Sequence, residues 1–312
     1  MRIIFAGTPD AAVPTLDALA ASSHEIVGVV TRPPARAGRG RTLTPSPVAA
    51  RAVELGLPLL ETTRPNDAES LEVISAWDPD LGVIVAYGAL LRAQLLGIPT
   101  DGWINLHFSD LPRWRGAAPV QHALLAQDKT IATAVIQLDS GLDTGPVYDR
   151  RVIEVPAGCS AGSLLGELAQ LGASQVVDVA DGIATGVAVA LPQSETGATY
   201  ASQLTKADAF IDFTGSAGQV AARVAAVTPN PGAWSTVPDG SKLKVGLVVA
   251  AEDAPSAEAG TIVATKREVL VVCDEGAVRL GKVAPAGKSW MDAADWWRGA
   301  RLGTDARLGE KK

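Results

Sequence analysis

The chain has 312 residues, of which 47% are hydrophobic and 20% charged, and its formal charge is −7. A chain of this length usually forms more than one domain, and this composition excludes the fibrous and disordered classes. No apolar run approaches the ~20 residues that cross a bilayer, and the N-terminal MRIIFAGTPD is typical of a first strand rather than a signal peptide. Cys159 and Cys273 have no neighbours at metal-ligand spacing, which argues against a disulfide framework or a zinc site and fits the reducing cytoplasm.

The charge is unevenly distributed along the chain. Residues 1–208 contain 14 Lys and Arg against 22 Asp and Glu, whereas residues 209–312 contain 13 against 12. The acidic total argues against a generic nucleic-acid binder. The more basic C-terminal part is compatible with a phosphate-bearing partner.

The first two thirds of the chain alternate apolar strands with helical segments. Strands are predicted at 2–6, 25–31, 81–87, 103–107, 132–138 and 146–155, and helices at 11–21, 45–56, 90–96 and 160–186. Thr8 and Pro9 suit the start of the first helix, and Pro47 and Gly56 suit the two ends of the second. This alternation predicts an α/β fold with a mostly parallel, doubly wound sheet.

After about residue 200 the pattern changes to short β-rich runs with turn signals between them. These runs lie at 232–237, 243–250, 260–265, 269–273 and 277–283, and a helical segment at 291–303 follows. They predict a small antiparallel barrel. The predicted organisation is therefore an α/β domain over 1–191, a polar linker over 192–208 and a barrel domain over 209–312.

The turn FAGTPD after the first strand is a candidate phosphate site, because a strand, a Gly turn and a helix start follow one another. A dinucleotide fingerprint needs three glycines in the pattern G-x-G-x-x-G, and only Gly7 is present. A tight turn explains the stretch better, and NAD binding is disfavoured.

Asn105 and His107 close the strand WINLH. Residues two apart on a strand point to the same face, and ligands of open α/β sheets bind beyond the carboxyl ends of the strands. The pair is thus a candidate for polarising a carbonyl group. The alternative is an ordinary one, in which Asn105 satisfies loop backbone groups and His107 is a hydrogen-bonded core histidine.

A second candidate motif is LDSGLDTGP at 138–146, where Asp143 stands between Gly141 and Gly145. Two glycines permit a sharp loop with close approach of the backbone to a ligand. A carboxylate within reach of an imidazole fixes its tautomer. The pattern alone does not decide whether Asp143 or Asp139 meets His107.

The third feature is the loop TRPPARAGRGRTLTPSP at 31–47. It carries Arg32, Arg36, Arg39 and Arg41 and no acidic residue. One interpretation is a solvated loop, the usual role of a charge run. The other is a loop that grips phosphate and orders on contact. Both remain open from the sequence.

Taken together, these motifs resemble the methionyl-tRNA formyltransferases nearly end to end. The matching stretches are IIFAGTPD (3–10), AGRGRTLTPSPV (37–48), VIVAYGALL (83–91), INLHFSDLPRWRGAAPVQHAL (104–124), GLDTGP (141–146), ATYASQLTKADAFIDF (198–213) and VTPNPGAW (227–234). The resemblance implies a Rossmann-like formyltransferase domain joined to an OB-like barrel that binds tRNA. It also implies 10-formyltetrahydrofolate as the formyl donor and the α-amine of initiator Met-tRNA as the acceptor.

The resemblance also implies roles for particular residues. Asn105, His107 and Asp143 are expected to be catalytic. The folate-contacting residues are expected to be Ser109, Asp110, Leu111, Pro112, Val85, Tyr87, Gly88 and Leu90, and the tRNA-binding ones Arg36, Arg39 and Arg41. We expect no metal, no membrane contact and a monomeric cytoplasmic protein.

Asp110 departs from the family pattern, which has Leu after the serine at position 109. If only the backbone there touches folate, the change is harmless. If the side chain contacts the ligand, an added carboxylate weakens binding of an anionic folate. We favour the harmless interpretation.

Two other functions stay open at this point. A folate-dependent formyltransferase acting on a small amine shares the Asn-x-His and GLDTGP motifs but needs neither the arginine loop nor the barrel. A non-catalytic RNA-binding protein is the other alternative, and intact Asn105, His107 and Asp143 argue against it.

Overall fold

A computed structural model describes residues 1–37, 42–251, 256–303 and 305–310. The chain forms two compact units. Unit 1 consists of Met1–Gly116, Ile131–Ile153 and Leu165–Tyr200, and unit 2 consists of Ala117–Thr130, Glu154–Leu164 and Ala201–Lys312. The largest segment of unit 2 begins within the stretch predicted as a linker, and the domain limits at 191 and 208 stay a prediction.

A seven-stranded sheet forms the centre of unit 1. The strands are β1 (Arg2–Gly7), β2 (Glu25–Thr31), β5 (Leu59–Glu61), β6 (Leu81–Val85), β7 (Trp103–His107), β8 (Thr130–Gln137) and β9 (Val147–Glu154), with a separate hairpin of β3 (Ala35–Ala37) and β4 (Thr42–Thr44). The sheet order is β5-β2-β1-β6-β7-β8-β9. The first five of these run parallel and β8 is antiparallel to β7, which confirms the predicted mostly parallel α/β fold.

Six α-helices lie among the described residues before position 200. They are α1 (Val13–Ala20), α2 (Pro47–Glu54), α3 (Ala68–Ala76), α4 (Ala93–Leu96), α5 (Pro119–Leu125) and α6 (Ala161–Ala184). The start of α2 agrees with the sequence, because the Ser46 hydroxyl accepts the Ala49 N–H at 2.9 Å and Pro47 occupies the first turn. Gly56, with φ of 68°, follows its end as predicted.

The predicted cap of the first helix is wrong. A 3-10 turn over Asp10–Ala12 precedes α1, which therefore begins at Val13. The Thr8 hydroxyl donates to the Tyr87 carbonyl at 3.0 Å instead of capping the helix. Thr8 thus ties the end of β1 to the chain that leaves β6.

The strand order creates a switch point at the centre of the sheet. From β1 the chain moves to β2 and β5 on one side and then returns to β6 on the other side of β1. Ligands of open α/β sheets bind in the crevice that such a reversal leaves at the carboxyl ends of the strands. The ends of β1, β6 and β7 therefore mark where a substrate site is expected.

Unit 2 contains two four-stranded antiparallel sheets, which confirm the predicted small β domain. One sheet has the order β10 (Trp234–Thr236), β11 (Lys242–Val245), β16 (Lys282–Pro285) and β17 (Met291–Asp292). The other has the order β12 (Val248–Ala251), β15 (Ala277–Leu280), β14 (Val269–Val272) and β13 (Ile262–Ala264). Helices α7 (Ala217–Ala226) and α8 (Ala293–Ala300) pack against a core that includes Phe213, Val224 and Val278.

Several short elements were not predicted from the sequence: α3, α5, α7, β5 and the β3–β4 hairpin. For α7 a local signal was present. The Ser216 side chain accepts the Gln219 N–H, and the Gln219 side chain accepts the Ser216 N–H. This capping box reads S-x-x-Q and marks a helix start.

Both cysteines are free, Cys159 half-buried and Cys273 buried. Burial raises the pKa of the Cys273 thiol to about 11, so it is an unreactive core side chain. In the part of the chain that the structure describes, no group of three or more His, Cys, Asp or Glu side chains is placed to hold a metal ion. None of the described helices combines the length and the apolar character needed to span a membrane.

Candidate active site

Asn105 and His107 lie at the carboxyl end of β7, beside the end of β6. Asn105 is opposite Ile84 of β6 and Ile136 of β8, and His107 is opposite Ala134. The two-residue spacing on a strand puts both side chains on one face, as the sequence predicts. The half-buried amide of Asn105 has no hydrogen-bond partner among the described residues, so it is available to a ligand.

The His107 ring is almost completely buried and its orientation is fixed by a backbone group. Its Nε2 lies 3.0 Å from the carbonyl oxygen of Trp114. A carbonyl oxygen can only accept a hydrogen bond, so Nε2 carries the proton and donates it. In the neutral ring, Nδ1 is therefore unprotonated.

Asp143 is the carboxylate that meets His107. Its Oδ2 lies 3.7 Å from Nδ1 of the ring, and the same oxygen accepts the Gly116 N–H at 2.8 Å. Asp139, the other candidate, is occupied within its own turn, where it accepts the Gly141 N–H and the Thr144 hydroxyl. The structure thus brings Asn105, His107 and Asp143 to one place, although the last two lie on different segments of the chain.

The structure explains the two glycines of GLDTGP by packing within the protein, whereas the sequence suggested close approach to a ligand. A Cβ on Gly145 would lie 1.7 Å from the carbonyl oxygen of Gln137, so only glycine allows the turn to pack on β8. A Cβ on Gly141 would collide with the Thr144 side chain. The close approach is between two segments of backbone, and it fixes the turn that carries Asp143.

Two backbone groups of the site were not singled out by the sequence. The Trp114 carbonyl and the Gly116 N–H lie in the loop that follows β7, with φ of 64° and 119° at these residues. Glycine tolerates a positive φ, so Gly116 was the one local signal in the sequence for the conformation of this loop. Backbone groups leave no other trace in a sequence pattern.

The segment after His107 folds back on itself at the edge of the site. Ser109 is fully buried and its hydroxyl donates to the Arg113 carbonyl at 2.7 Å. Leu111 is buried with Ala134 and Ile136, and a cis peptide joins it to Pro112. The expected folate-contacting residues 109–112 therefore lie directly beside His107.

Asp110 does not leave its carboxylate unpaired. Both of its oxygens accept hydrogen bonds from Arg150 of β9, one from Nε and one from Nη2. This two-point geometry is the one that a guanidinium and a carboxylate prefer. The pairing raises the pKa of the Arg150 guanidinium, and it supports the harmless interpretation of this departure from the family pattern.

The expected pterin-lining segment leaves the end of β6. Val85 and Tyr87 are buried, Gly88 has φ of 79° and Leu90 is 73% exposed. Burial raises the pKa of the Tyr87 phenol to about 12, so it stays protonated. The segment therefore lies at the switch point of the sheet, with its backbone turning sharply at Ala86 and Gly88.

The arginine loop is described only in part. Arg36 lies exposed on β3, paired in register with Leu43 of β4. Arg39 and Arg41 lie outside the described residues. The tRNA-binding role expected for the three arginines therefore stays a prediction.

Unit 2 has a separate candidate surface, which we call the lysine groove. It is a cavity of about 690 Å³ lined by the loop 228–233, Lys242, Lys244, Lys282 and Trp290, and no acidic residue is among the described residues that line it. The Lys242 ammonium lies 4.2 Å from the centre of the Trp234 ring. Burial, and then the neighbouring Lys244 and Lys206, lower the pKa of Lys242.

With this geometry established, comparison with known proteins defines the class. The formyl transferase family model matches residues 1–180, and the model of the formyl transferase C-terminal domain matches residues 203–301. The first match contains Asn105, His107 and Asp143. The chain is thus a formyl transferase, and its fold is the one that this class has.

Relatives with similar full-length sequences define the family more narrowly. The methionyl-tRNA formyltransferase of Thermobifida fusca (strain YX) is 49% identical over 99% of this chain and 100% of its own. That of Nocardioides sp. is 49% identical over 99% of this chain and 98% of its own. The chain belongs to the methionyl-tRNA formyltransferase family.

Solved structures agree on the fold. The methionyl-tRNA formyltransferase from Clostridium thermocellum superposes with a TM-score of 0.58 at 14% identity, covering 88% of this chain and 100% of its own. At such low identity the similarity concerns the fold alone. It matches the α/β unit and the antiparallel β unit described above.

Proposed function

We propose that the protein transfers the formyl group of 10-formyltetrahydrofolate to the α-amine of methionine esterified to initiator tRNA. One observation carries the proposal within this family: the free Asn105 amide stands on the same strand face as His107, whose Nδ1 lies 3.7 Å from Asp143 Oδ2. Acyl transfer to an amine needs a donor for a developing negative oxygen and a group that takes a proton. The three side chains supply both.

The Asn105 amide is the proposed donor to the oxygen. When the neutral amine attacks the formyl carbon, the carbonyl oxygen gains negative charge. Because no described residue occupies the Asn105 amide, its N–H can be aimed at that oxygen. A donor of this kind is typically worth ~10²–10³ in rate.

His107 and Asp143 are the proposed proton-handling pair. Since Nε2–H is held by the Trp114 carbonyl, the ring accepts the amine proton at Nδ1. The positive charge that results faces the Asp143 carboxylate, which stabilises it. The proton then passes to the folate nitrogen as its bond to the formyl carbon breaks.

The donor is proposed to bind at the switch point of the sheet, between the segments that leave β6 and β7. The residues proposed to hold it are Val85, Tyr87, Gly88, Leu90, Ser109, Asp110, Leu111 and Pro112. Two properties of these segments support the proposal: Val85 and Leu111 are buried apolar side chains, and the backbone turns sharply at Ala86. Tetrahydrofolate carrying the formyl group supplies the electrophilic carbon.

The acceptor RNA is proposed to be held by two basic surfaces. Arg36, Arg39 and Arg41 of the arginine loop are proposed to grip the acceptor end, and Arg39→Leu is expected to weaken tRNA use and flatten its salt dependence. The lysine groove of unit 2 is proposed to bind phosphates, with the half-exposed Trp290 ring available to an unstacked base. An initiator acceptor end that unpairs easily costs less to deform, which supplies specificity.

The remaining features of the proposal concern the whole protein. We propose a catalytic domain over 1–191, a linker over 192–208 and a tRNA-binding domain over 209–312. The protein is proposed to act as a cytoplasmic monomer without membrane contact. Its chemistry needs no metal ion, because hydrogen bonds meet the charge on the transferring group.

One incubation tests the proposal. The protein is mixed with 10-formyltetrahydrofolate labelled in the formyl group, and either charged initiator Met-tRNA or small amines such as amino sugar nucleotides are added. Label is expected on Met-tRNA and not on the small amines. Transfer to a small amine alone would replace the proposal with the small-amine alternative, and tight tRNA binding without any transfer would favour a non-catalytic protein.

A further inference from the structure

Gln193 stands in the segment that the sequence predicts to be a linker, yet its side chain reaches the turn that carries Asp143. Its Nε2 donates to the carbonyl oxygens of Asp143 at 2.8 Å and of Gly145 at 2.7 Å. These two carbonyls lie on either side of Thr144. The amide thus holds the backbone of the turn at two points.

The other end of the Gln193 amide is held by Arg115. Oε1 of Gln193 accepts hydrogen bonds from Arg115 Nε at 3.2 Å and from Nη2 at 3.0 Å. Both N–H groups and the oxygen of the amide are therefore used, which leaves one possible orientation of the side chain. The buried Arg115 side chain is 1% exposed and also pairs with Glu195, which is 82% exposed.

Arg115 also precedes the second group that fixes Asp143. The next residue, Gly116, donates its N–H to the Asp143 carboxylate at 2.8 Å, and the Arg115 N–H is itself bound by the Thr199 carbonyl at 2.9 Å. The carbonyl of Asp143 is thus held through Gln193 and its carboxylate through Gly116. Asp143 also has φ of 52°, in the left-handed region that few residues other than Gly, Asn and Asp adopt.

We propose that Gln193, oriented by Arg115, is a positioning residue that holds the Asp143 carboxylate against His107. This inference rests on the proposed function and adds to it a residue from outside the predicted catalytic domain. The pair, called here the Gln193–Arg115 clasp, acts on the reaction only through Asp143. Displacing a catalytic group by about 1 Å can cost on the order of 10²-fold in rate, so the effect of the clasp is large enough to measure.

Two substitutions separate the functions of the amide. Gln193→Met keeps the size and removes all hydrogen bonds, whereas Gln193→Glu keeps the acceptor for Arg115 and removes both donors to the turn. Each is expected to lower kcat for formylation by roughly 10- to 100-fold and to change the KM of either substrate by less than about threefold. Ser194→Ala is the matched control, because the exposed Ser194 hydroxyl accepts the Thr196 N–H of its own segment and has no other hydrogen bond to a described residue. It is expected to keep kcat within about twofold of the unaltered protein.

A double-mutant cycle with Asp143 tests whether the clasp acts through that residue. In the Asp143→Ala background, Gln193→Met is expected to change kcat by less than about twofold, since nothing remains to be positioned. An equal loss of kcat in both backgrounds would assign Gln193 a general structural role and overturn the inference. So would Gln193→Glu with the kcat of the unaltered protein, because the two donors would then be unnecessary.

A measurement without catalysis keeps the inference separate from the proposed function. Hydrogen exchange in a peptide covering residues 138–147 is expected to speed up at least ~5-fold in Gln193→Met and to stay unchanged in Ser194→Ala. In one outcome the unaltered protein formylates Met-tRNA, and Gln193→Met has the same hydrogen exchange and the same kcat as the unaltered protein. That outcome refutes only the clasp. If the unaltered protein does not formylate while the exchange changes as expected, the proposed function fails and the positioning of Asp143 stands. If Gln193→Met does not fold, the test uses Gln193→Glu, because this variant retains the hydrogen bonds to Arg115.

Discussion

The Nε2 atom of His107 donates a hydrogen bond to the Trp114 carbonyl at 3.0 Å. This contact fixes the tautomer of the ring and directs Nδ1 towards Asp143, whose Oδ2 lies 3.7 Å away. The backbone of the loop after β7 therefore decides which nitrogen is free for the proton transfer proposed above. Asn105, two residues earlier on the same face, is the donor proposed for the negative oxygen.

The first prediction concerns these three side chains. Asn105→Ala, His107→Ala and Asp143→Ala are each expected to lower kcat by at least ~10²-fold, because each removes a charge-stabilising or proton-handling group. Steady-state formylation of Met-tRNA measures the effect, and a thermal unfolding scan checks the fold. His122→Ala is the control, because its ring bonds the Ser202 carbonyl in unit 2. A folded His107→Ala protein with near-normal turnover would remove the histidine from the mechanism.

The second prediction concerns Asp110. Because Arg150 binds both oxygens of its carboxylate, Asp110→Leu is expected to leave the KM for the formyl donor within about threefold. A KM that drops tenfold or more in this variant would mean that the carboxylate lies in the folate site and weakens binding.

Arg150→Leu is the matched change on the other side of this ion pair. It leaves the Asp110 carboxylate without its partner at the edge of the site. The KM for the anionic donor is then expected to rise more in this variant than in Asp110→Leu, and the difference is expected to shrink at high salt. Equal KM values in the two variants would show that the pair does not influence donor binding.

The third prediction tests the lysine groove. Lys244→Ala and Lys282→Ala are each expected to raise the Kd for tRNA and to reduce the slope of log Kd against log salt by about one, because each removes a phosphate contact. Lys288→Ala is the control, since Lys288 is exposed in the same unit but does not line the groove. If all three variants have the same salt slope as the unaltered protein, the RNA binds elsewhere on the protein.

The fourth prediction concerns the pH dependence of stability. His24 is buried, with Nδ1 3.3 Å from the N-terminal amine and Nε2 3.2 Å from Asp181 Oδ1. Burial, and then the charge of the N-terminus, lower its pKa from 6.5 against the weaker opposing effect of Asp181. The unfolded chain therefore takes up a proton at higher pH than the folded protein, so the free energy of unfolding falls as pH drops below 6.5 and levels off below the folded pKa.

The effect of His24 is isolated by comparing His24→Gln with the unaltered protein. Thermal unfolding of both is followed from neutral pH down to about pH 5, a range that includes the unperturbed pKa of histidine. The Tm of the unaltered protein is expected to fall more steeply with decreasing pH than the Tm of the variant. Parallel curves would show that protonation of His24 is not linked to unfolding.

Much of the fold was predictable from local patterns. Continuous apolar runs located β1, β2 and β6, because strands buried on both faces are apolar throughout rather than alternating. The long amphipathic pattern at 160–186 predicted α6 to within two residues at each end. The Ala-rich α7 was not predicted, although its S-x-x-Q capping signal was present.

The candidate site was predictable in its residue types and not in its contacts. The sequence could not choose between Asp139 and Asp143, since each of the two lies two residues from Gly141 in the same short motif. It gave no sign that Arg150 pairs with Asp110 from 40 positions away, or that Gln193 reaches Asp143 from 50 positions away. Nor did it show that Gly145 is required by the carbonyl of Gln137 rather than by a ligand.

The sequence by itself determined the alternation of strands and helices, the change to a β unit after residue 200 and the family, because periodicity and motifs are local properties of the chain. The tertiary structure alone decided which carboxylate faces His107, which ring nitrogen is free and which partner neutralises Asp110. These are contacts between segments far apart in sequence, and their geometry depends on how the turns and loops pack at the carboxyl end of the sheet.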